Sequence, residues 1–317
     1  SCLPEFKKKT MSRVRKINAQ VLRYKNFPPL KWAIPGLLPS GLAILGGSPK
    51  IGKSRLALQL GLGVAIGGYV LGNIKVEQGN VLYLALEDTE QRIQDRINSS
   101  EINDDDDISR LDIFYEVPRQ NEGGVDCMKW WLEEHPNARL VMIDTLQKFR
   151  KPFSGKGSMY AEDYDVIAEL KKLADEFSVA LLILHHLKKA KENDDWLNEF
   201  SGSQGLAGAA DTLFSLKRVR TQEGGILHRT GRDVEEMDFA MKLDQFGWVL
   251  GGDVEEFTMP EWKRQIVKYL REHGKVTPME LSQILGLNIN TAQQNLRRLV
   301  KDGTVQKSGY GTYSLSE

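Results

Sequence analysis

Leu42-Ala43-Ile44-Leu45-Gly46-Gly47-Ser48-Pro49-Lys50-Ile51-Gly52-Lys53-Ser54 is the stretch on which the reading of this chain turns. From Gly47 to Ser54 it follows the pattern G-x-x-x-x-G-K-[ST]. Glycines in that pattern let backbone N–H groups close around phosphate oxygens. The flanks agree with it. Leu42 to Leu45 is a short apolar run that reads as a buried strand, and Arg55-Leu56-Ala57-Leu58-Gln59-Leu60 opens a helix. A helix in that place points its positive end at a bound anion. Gly47, Ser48, Pro49, Lys50, Ile51, Gly52, Lys53, Ser54 and Arg55 are therefore expected to hold a nucleotide, taken as ATP. Lys53 should reach the β/γ-phosphates and the Ser54 hydroxyl should bind Mg²⁺.

A chain of 317 residues is long enough for one large α/β domain and a small one. Basic and acidic residues balance at 43 each, but unevenly along the chain. Residues 1–31 carry nine Lys/Arg against one acid, and residues 258–317 carry nine against five. The middle, 32–257, is left with 25 bases and 37 acids. A polyanion should therefore be met by the ends and by local patches. The two cysteines, Cys2 and Cys127, are far apart, and the five histidines form no zinc-type spacing with them. That pattern points to a reducing, cytoplasmic setting without a structural metal. The weakly polar run Leu56 to Gly72 reads as a buried helix behind the phosphate loop, not a membrane span. The chain opens on Ser1-Cys2, and Met11 reads as a natural start with residues 1–10 ahead of it.

Taken in order, residues 1–31 form a basic arm broken by Phe27-Pro28-Pro29, either free or contacting a subunit or DNA. After the phosphate loop, Val81 to Leu86 is a second buried strand ending in Glu87-Asp88. A carboxylate at a strand end beside the loop is placed to orient a water, and Glu87 is preferred as general base; Asp88 suits a helix N-cap. Leu111 to Val117 reads as a third strand. Arg139-Leu140-Val141-Met142-Ile143-Asp144 is an apolar strand ending in the aspartate expected to hold Mg²⁺ through its water shell. Residues 147–160, with Lys148, Arg150 and Lys151, form a basic loop with interleaved aromatics, and a helix follows from about Asp163 to Phe177. Val179 to Leu184 is another strand, ending in His185-His186. A second polar loop, 188–204, carries Lys188 and Lys189. Ala209 to Leu216 reads as another strand region, ending in Lys217-Arg218-Val219-Arg220, and a β-rich stretch containing Arg229 and Arg232 closes the domain. The boundaries expected are an arm at 1–31, an ATPase domain at 32–250, a linker at 251–258 and a small domain at 259–317.

The last segment changes character. Pro260 to His273 is amphipathic, Thr277 caps a second helix ending near Gly286, and Asn290 to Leu299 is a third. Thr304 to Leu315 is a hairpin with Ser308-Gly309-Tyr310-Gly311 at its turn. Three helices and a hairpin of this size read as a winged helix-turn-helix. Asn290, Thr291, Gln293, Gln294 and Arg297 would enter the major groove, with Lys307 and Tyr310 of the wing on the backbone. Protein docking is the alternative use of such a domain.

With these motifs in place, residues from about Pro28 to Gly251 resemble the RecA-like ATPases, and most of all the plasmid RepA-type hexameric replicative helicases. The phosphate loop, Val81-Leu82-Tyr83-Leu84-Ala85-Leu86-Glu87-Asp88, the Asp144 strand, and Leu184-His185-His186 followed by Ser201-Gly202-Ser203 carry the resemblance. It implies an α/β fold with a RecA-like P-loop core, a mostly parallel central sheet, and ATP bound at subunit interfaces of a homo-oligomer, a hexamer in that family. It implies Glu87 as the base and a strand-end histidine, His186 before His185, sensing the γ-phosphate. An arginine finger acting between subunits would come from Arg218, Arg220 or Arg232. The loops at 147–160 and 188–204 would face single-stranded DNA in a ring channel, while the winged domain meets duplex. Three functions follow as expectations: an ATP-driven helicase or translocase of a mobile element or phage, an ATP-gated DNA-binding regulator, and a recombination mediator.

Overall fold

The computed structural model of the chain describes residues 16–152, 159–187, 196–219 and 223–316. It divides into two units, 1–31 and 32–317. In the first, α1 (Ala19–Arg23) starts at Asn18, whose side chain accepts from the Gln20 N–H. Its apolar side chains, Val21 and Leu22 among them, are exposed.

The second unit is organised by short unbroken apolar runs. β3 (Gly41–Gly47), β6 (Asn80–Ala85), β8 (Ala138–Asp144) and β9 (Ala180–His186) are buried on both faces, as strands of a parallel sheet covered on both sides must be. Alternate residues go to opposite cores. Ala43, Leu45, Tyr83, Met142 and Leu182 face α2 (Lys53–Ile66). Leu42, Ile44, Leu84, Val141 and Ile183 face α4 (Gly124–Glu134) and α6 (Met159–Phe177). The sheet has nine strands in the order β13-β12-β11-β10-β3-β9-β8-β6-β7. Its edges are β7 (Leu111–Phe114) and β13 (Trp248–Leu250). From β10 (Thr212–Arg218) to β7 every pairing is parallel. Beyond β10, the strands β11 (Gly224–Gly231), β12 (Met237–Leu243) and β13 are added antiparallel. The register sets Gly47 opposite His186 and Ala85 opposite Asp144, which brings the polar strand ends to one rim.

Helix α2 is apolar nearly all round, so it is buried on most of its surface. It stops at Gly67, whose φ of 75° is a left-handed C-cap. Among the described residues no helix is long and apolar enough to cross a membrane.

Several local expectations shift. The third strand ends at Phe114 instead of Val117. Helix α6 begins at Met159, four residues before the expected Asp163. Within 251–258, read above as linker, Val254–Thr258 is a short helix, α8, capped by Asp253. Phe257 anchors it against Ile226 and Ala240. Phe257, with half-buried Val254 beside it, pins this otherwise polar segment to the sheet.

The C-terminal part has its own core of Ile266, Leu270, Val276, Leu281, Ala292, Leu296, Leu299 and Val305. It comprises α9 (Glu261–His273), α10 (Pro278–Leu285), α11 (Ile289–Lys301) and a sheet β14-β16-β15 (Lys275–Val276, Thr312–Leu315, Val305–Gly309). Thr277 and Glu280 close a capping box on α10, and Gly286 ends that helix at φ 62°. This is a winged helix-turn-helix, with β14 as a third strand that the sequence pattern did not reveal.

Candidate nucleotide site and nucleic-acid surfaces

Lys53 opens α2 and is 5% exposed. Its ammonium donates to the carbonyls of Gly47 (2.8 Å) and Ser48 (3.0 Å) and lies 3.3 Å from Nδ1 of His186. Burial pushes its pKa down to about 8, against the pull of the Asp144 and Glu87 carboxylates.

Asp144, at the end of β8, is 4% exposed. Its Oδ2 accepts from the Tyr83 hydroxyl at 2.8 Å, and the carboxylate also takes a hydrogen bond from Ser54. Burial raises its pKa, while the Ser54 and Tyr83 hydrogen bonds act the other way. A hydroxyl and a carboxylate meeting at the end of a phosphate loop are a hard-oxygen donor set. That chemistry fits Mg²⁺, which keeps most of its waters and takes one or two protein oxygens.

Glu87 follows β6 and lies beside this pair. Oε1 accepts from the Thr145 hydroxyl at 3.0 Å, and Oε2 is 3.8 Å from Nε2 of His186. A lysine ammonium has no acceptor, so the contact with Lys53 makes Nδ1 of His186 the accepting nitrogen. The proton of the neutral ring then sits on Nε2, facing Glu87. His186 thus joins Lys53 to Glu87. Its neighbour His185 is pushed down to about 4, first by burial and then by His186, Arg150 and Lys53, so it is neutral near pH 7.

The adjacent carboxylate does something else. Asp88 pairs with Arg92 at 2.9 Å and with Arg96. The N-cap of α3 (Glu90–Asn98) is Thr89, whose hydroxyl accepts from the Arg92 N–H. The expectation that Asp88 caps this helix is therefore corrected. Two arginines one and two turns into α3 draw the aspartate into an ion pair and leave the cap to the threonine.

The candidate arginines part company. Arg218 ends β10 on the rim of the phosphate loop, where it lines a cavity of about 390 Å³ with Ile51, Glu223, Leu243, Gln245 and Trp248. Arg232 follows β11, whose last residue Gly231 pairs with Thr212 at the start of β10. Its guanidinium donates to the Gly208 carbonyl at 2.8 Å. The two therefore sit at opposite ends of β10, separated by roughly 20 Å of strand. Arg220 lies outside the described residues.

Of the residues expected on single-stranded DNA, Lys148 is exposed on α5 (Leu146–Phe149), a short helix anchored by its buried ends. Arg150 and Lys151 follow it half-buried, and the Arg150 carbonyl accepts from Arg119 at 2.8 Å. Lys188 and Lys189, like residues 153–158 of the first loop, lie outside the described residues. On α11, Asn290, Thr291, Gln294 and Arg297 are exposed and Gln293 is half-buried. Lys307 is exposed on β15, and Tyr310 at the turn beyond it is fully exposed.

Sequence reasoning did not single out Arg298 or Lys301 as DNA contacts, though both are exposed on the same helix; the 3.6-residue period from Arg297 would have found Lys301, one turn on. It also passed over Tyr83 and Thr145. The signal for Tyr83 was weak: a lone hydroxyl in an apolar strand needs a buried partner.

Comparison with known proteins places this geometry among relatives. A family model described as AAA domain matches residues 12–192, and one described as winged helix-turn-helix DNA-binding matches residues 261–306. The DNA repair protein RadA of Streptococcus pneumoniae is 28% identical over 155 residues, covering 49% of this chain and 32% of the relative. RadA of Streptococcus pyogenes serotype M6 is 27% identical over 155 residues, covering 49% of this chain and 29% of its own. The chain thus spans about a third of the length of these curated relatives. Among solved structures, a DnaB-like replicative helicase, described with its interactions with primase, superposes with a TM-score of 0.57 at 16% identity, over 78% of this chain and 71% of that one. A separately solved ATPase domain superposes with a TM-score of 0.54 at 17% identity, over 66% and 84%. At these identities the likeness is one of fold.

Proposed function

This chain belongs to the AAA domain family, with a RecA-like phosphate-loop ATPase core and a C-terminal winged helix-turn-helix; from that premise we propose that it hydrolyses ATP to move along DNA as a helicase or translocase of the RepA type. The observation that carries the reading is the run Lys53–His186–Glu87, which spans the rim from β3 to β9 and across β8 to β6 with contacts of 3.3 and 3.8 Å.

ATP would lie along Gly47 to Arg55, its phosphates replacing the Gly47 and Ser48 carbonyls as partners of the Lys53 ammonium. Mg²⁺, held through Ser54 and Asp144, would neutralise charge on the phosphate oxygens. Glu87, steadied by Thr145, takes the proton of the attacking water. His186 reports the position of Lys53, and hence the presence of the γ-phosphate, to Glu87. Arg218, exposed at the strand-end rim, and Arg232, held to the Gly208 carbonyl at the far end of β10, are the two described candidates to reach a neighbouring copy. A ring of copies, a hexamer on the RepA pattern, would then complete each site.

The DNA assignments rest on charge, and on exposure at Lys148 and along α11. Lys148, Arg150 and Lys151, with the loops that follow, would track single strands. Helix α11 and the wing would read duplex. A second reading, an ATP-gated DNA-binding regulator, is favoured by the exposed polar face of α11 and would use the same nucleotide site. ATP turnover measured with and without single-stranded DNA, alongside the mass of the assembly, separates them. Stimulation by single strands with a ring-sized mass supports the translocase. Slow, unstimulated turnover with tight sequence-selective duplex binding would replace it with the regulator.

A further inference from the structure

The turn between β12 and β13 lies at the far edge of the sheet, yet it returns to the phosphate-loop helix. At the start of α2, Gly52, Arg55 and Gln59 are spaced three and four apart, so they share one face. Each one holds the turn. The Trp248 indole N–H donates to the Gly52 carbonyl at 3.2 Å, and the Arg55 guanidinium donates to the Gln245 carbonyl at 3.0 Å. The Gln59 amide accepts from the Trp248 N–H at 2.8 Å and donates to the Trp248 carbonyl at 2.7 Å, as a neighbouring strand would. The turn is shaped for this. Asp244 receives the N–H groups of Phe246 and Gly247, each at 2.9 Å. Gly247 has φ 149°, and a Cβ there would stand 2.6 Å from Gln59 Oε1, so only glycine lets the amide approach.

On the premise that the loop binds ATP, we propose that Trp248 is a positioning residue for the phosphates, acting through Gly52. The Gly52 carbonyl has two bonds: Leu56 N–H donates to it at 3.0 Å as the first turn of α2, and Trp248 takes its second lone pair. That carbonyl and the Lys53 N–H belong to one planar peptide and point in opposite directions. Fixing the carbonyl against the indole therefore aims the Lys53 N–H into the cradle where phosphate oxygens bind. Gly52 stands at φ 104°, and a Cβ on it would come within 3.1 Å of the indole, so the loop and the tryptophan are matched in shape as well as in hydrogen bonding. Trp248 is itself 3% exposed and packed into the core, with an edge on the cavity beside Ile51 and Arg218.

The test is Trp248→Phe, which keeps an aromatic ring and removes the N–H. Holding the loop serves the bound ground state and the transition state alike, so KM for ATP and the dissociation constants of both ATP and ADP should rise together, roughly threefold to tenfold for one lost hydrogen bond. Turnover at saturating ATP should stay within about twofold. Gln59→Ala, which frees the turn while leaving the indole in place, should give a shift of the same kind. The double variant should bind hardly worse than the weaker single one, because both act through the same contact. Nucleotide affinity unchanged in both single variants, with only the melting temperature lowered, would reduce the clasp to packing and overturn the proposal. A parent chain that binds no nucleotide would instead bring down the ATPase reading, and this inference with it.

Discussion

The two surfaces to which a function is assigned are built in opposite ways. At the strand ends of the large sheet the charges are withdrawn from water and held in place: Lys53 and Asp144 are 5% and 4% exposed, and each has hydrogen-bond partners. On α11 the polar and basic side chains stand in solvent, over a core of eight buried residues. Hydrolysis requires groups fixed before the reaction starts, because organising them during it would add to the barrier. Binding a phosphate backbone gains from released counterions, which long mobile cations on an open face achieve without fixed geometry. Substitutions in the first region should therefore act sharply and one at a time, and those in the second by degrees and in sum.

The contrast is tested most severely by Lys53→Ala. It removes the ammonium from the phosphate loop, and ATP turnover should fall to background; near-normal turnover would remove the enzyme reading. Glu87→Gln should come next, with nucleotide still bound but hydrolysis slowed by ~10²–10⁴. If Asp88→Asn gives that phenotype instead, while Glu87→Gln fails to bind, the roles of the two carboxylates are reversed.

The winged surface should respond more gradually. Replacing Arg297, Arg298 and Lys301 with Ala should flatten the slope of log affinity against log salt by about 0.9 for each phosphate left without its cation, on the order of a hundredfold in duplex binding at 0.15 M salt. ATP turnover without DNA should be unchanged. An unaltered salt slope would hand this face to a protein partner.

A smaller effect comes from Lys53 without any mutation. Its pKa of about 8 in the free protein must rise when anionic phosphates arrive, because they favour the charged form. Below pH 7 the group is already protonated, so binding takes up no proton there. Above pH 8 a proton must be gained with the nucleotide, and affinity should fall by about tenfold between pH 7 and pH 9. Calorimetry in buffers of different ionisation heat would register that uptake, and a pH-independent affinity would contradict it. Tyr83→Phe should act least, raising the Mg²⁺ concentration needed for nucleotide binding by roughly threefold, since Asp144 keeps Ser54 but loses one of its two hydrogen bonds.

What could be read from the sequence divides along a related line. Gly47 to Ser54, the apolar strands and Asp144 were legible because a local pattern specifies each: glycine spacing, an unbroken apolar run, a carboxylate ending such a run. Helix α11 was legible through its own period. What was not legible depends on pairs far apart in the chain. Gln59 meets Trp248 across 189 residues, and Tyr83 meets Asp144 across 61. Neither partner carries a mark of the other. Thr89 took the cap expected of Asp88 because two arginines downstream competed for the carboxylate, a balance that cap preference alone does not contain. Phe257 turned an apparent linker into a packed helix for the same kind of reason, its partners Ile226 and Ala240 lying on strands some distance upstream.

The sheet that brings these distant residues together also limits how copies of the chain can join. It is nine strands wide, but its outermost strands are only four and three residues long. A strand edge recruits another chain through its row of unpaired N–H and C=O groups, and edges this short offer few of them. Neighbouring copies therefore have little to gain by continuing the sheet from one molecule into the next, the route that leads to open-ended fibres. Any assembly of the kind proposed is left to side chains on loops and helices, whose contacts can close a finite ring and can loosen and re-form without breaking a backbone ladder.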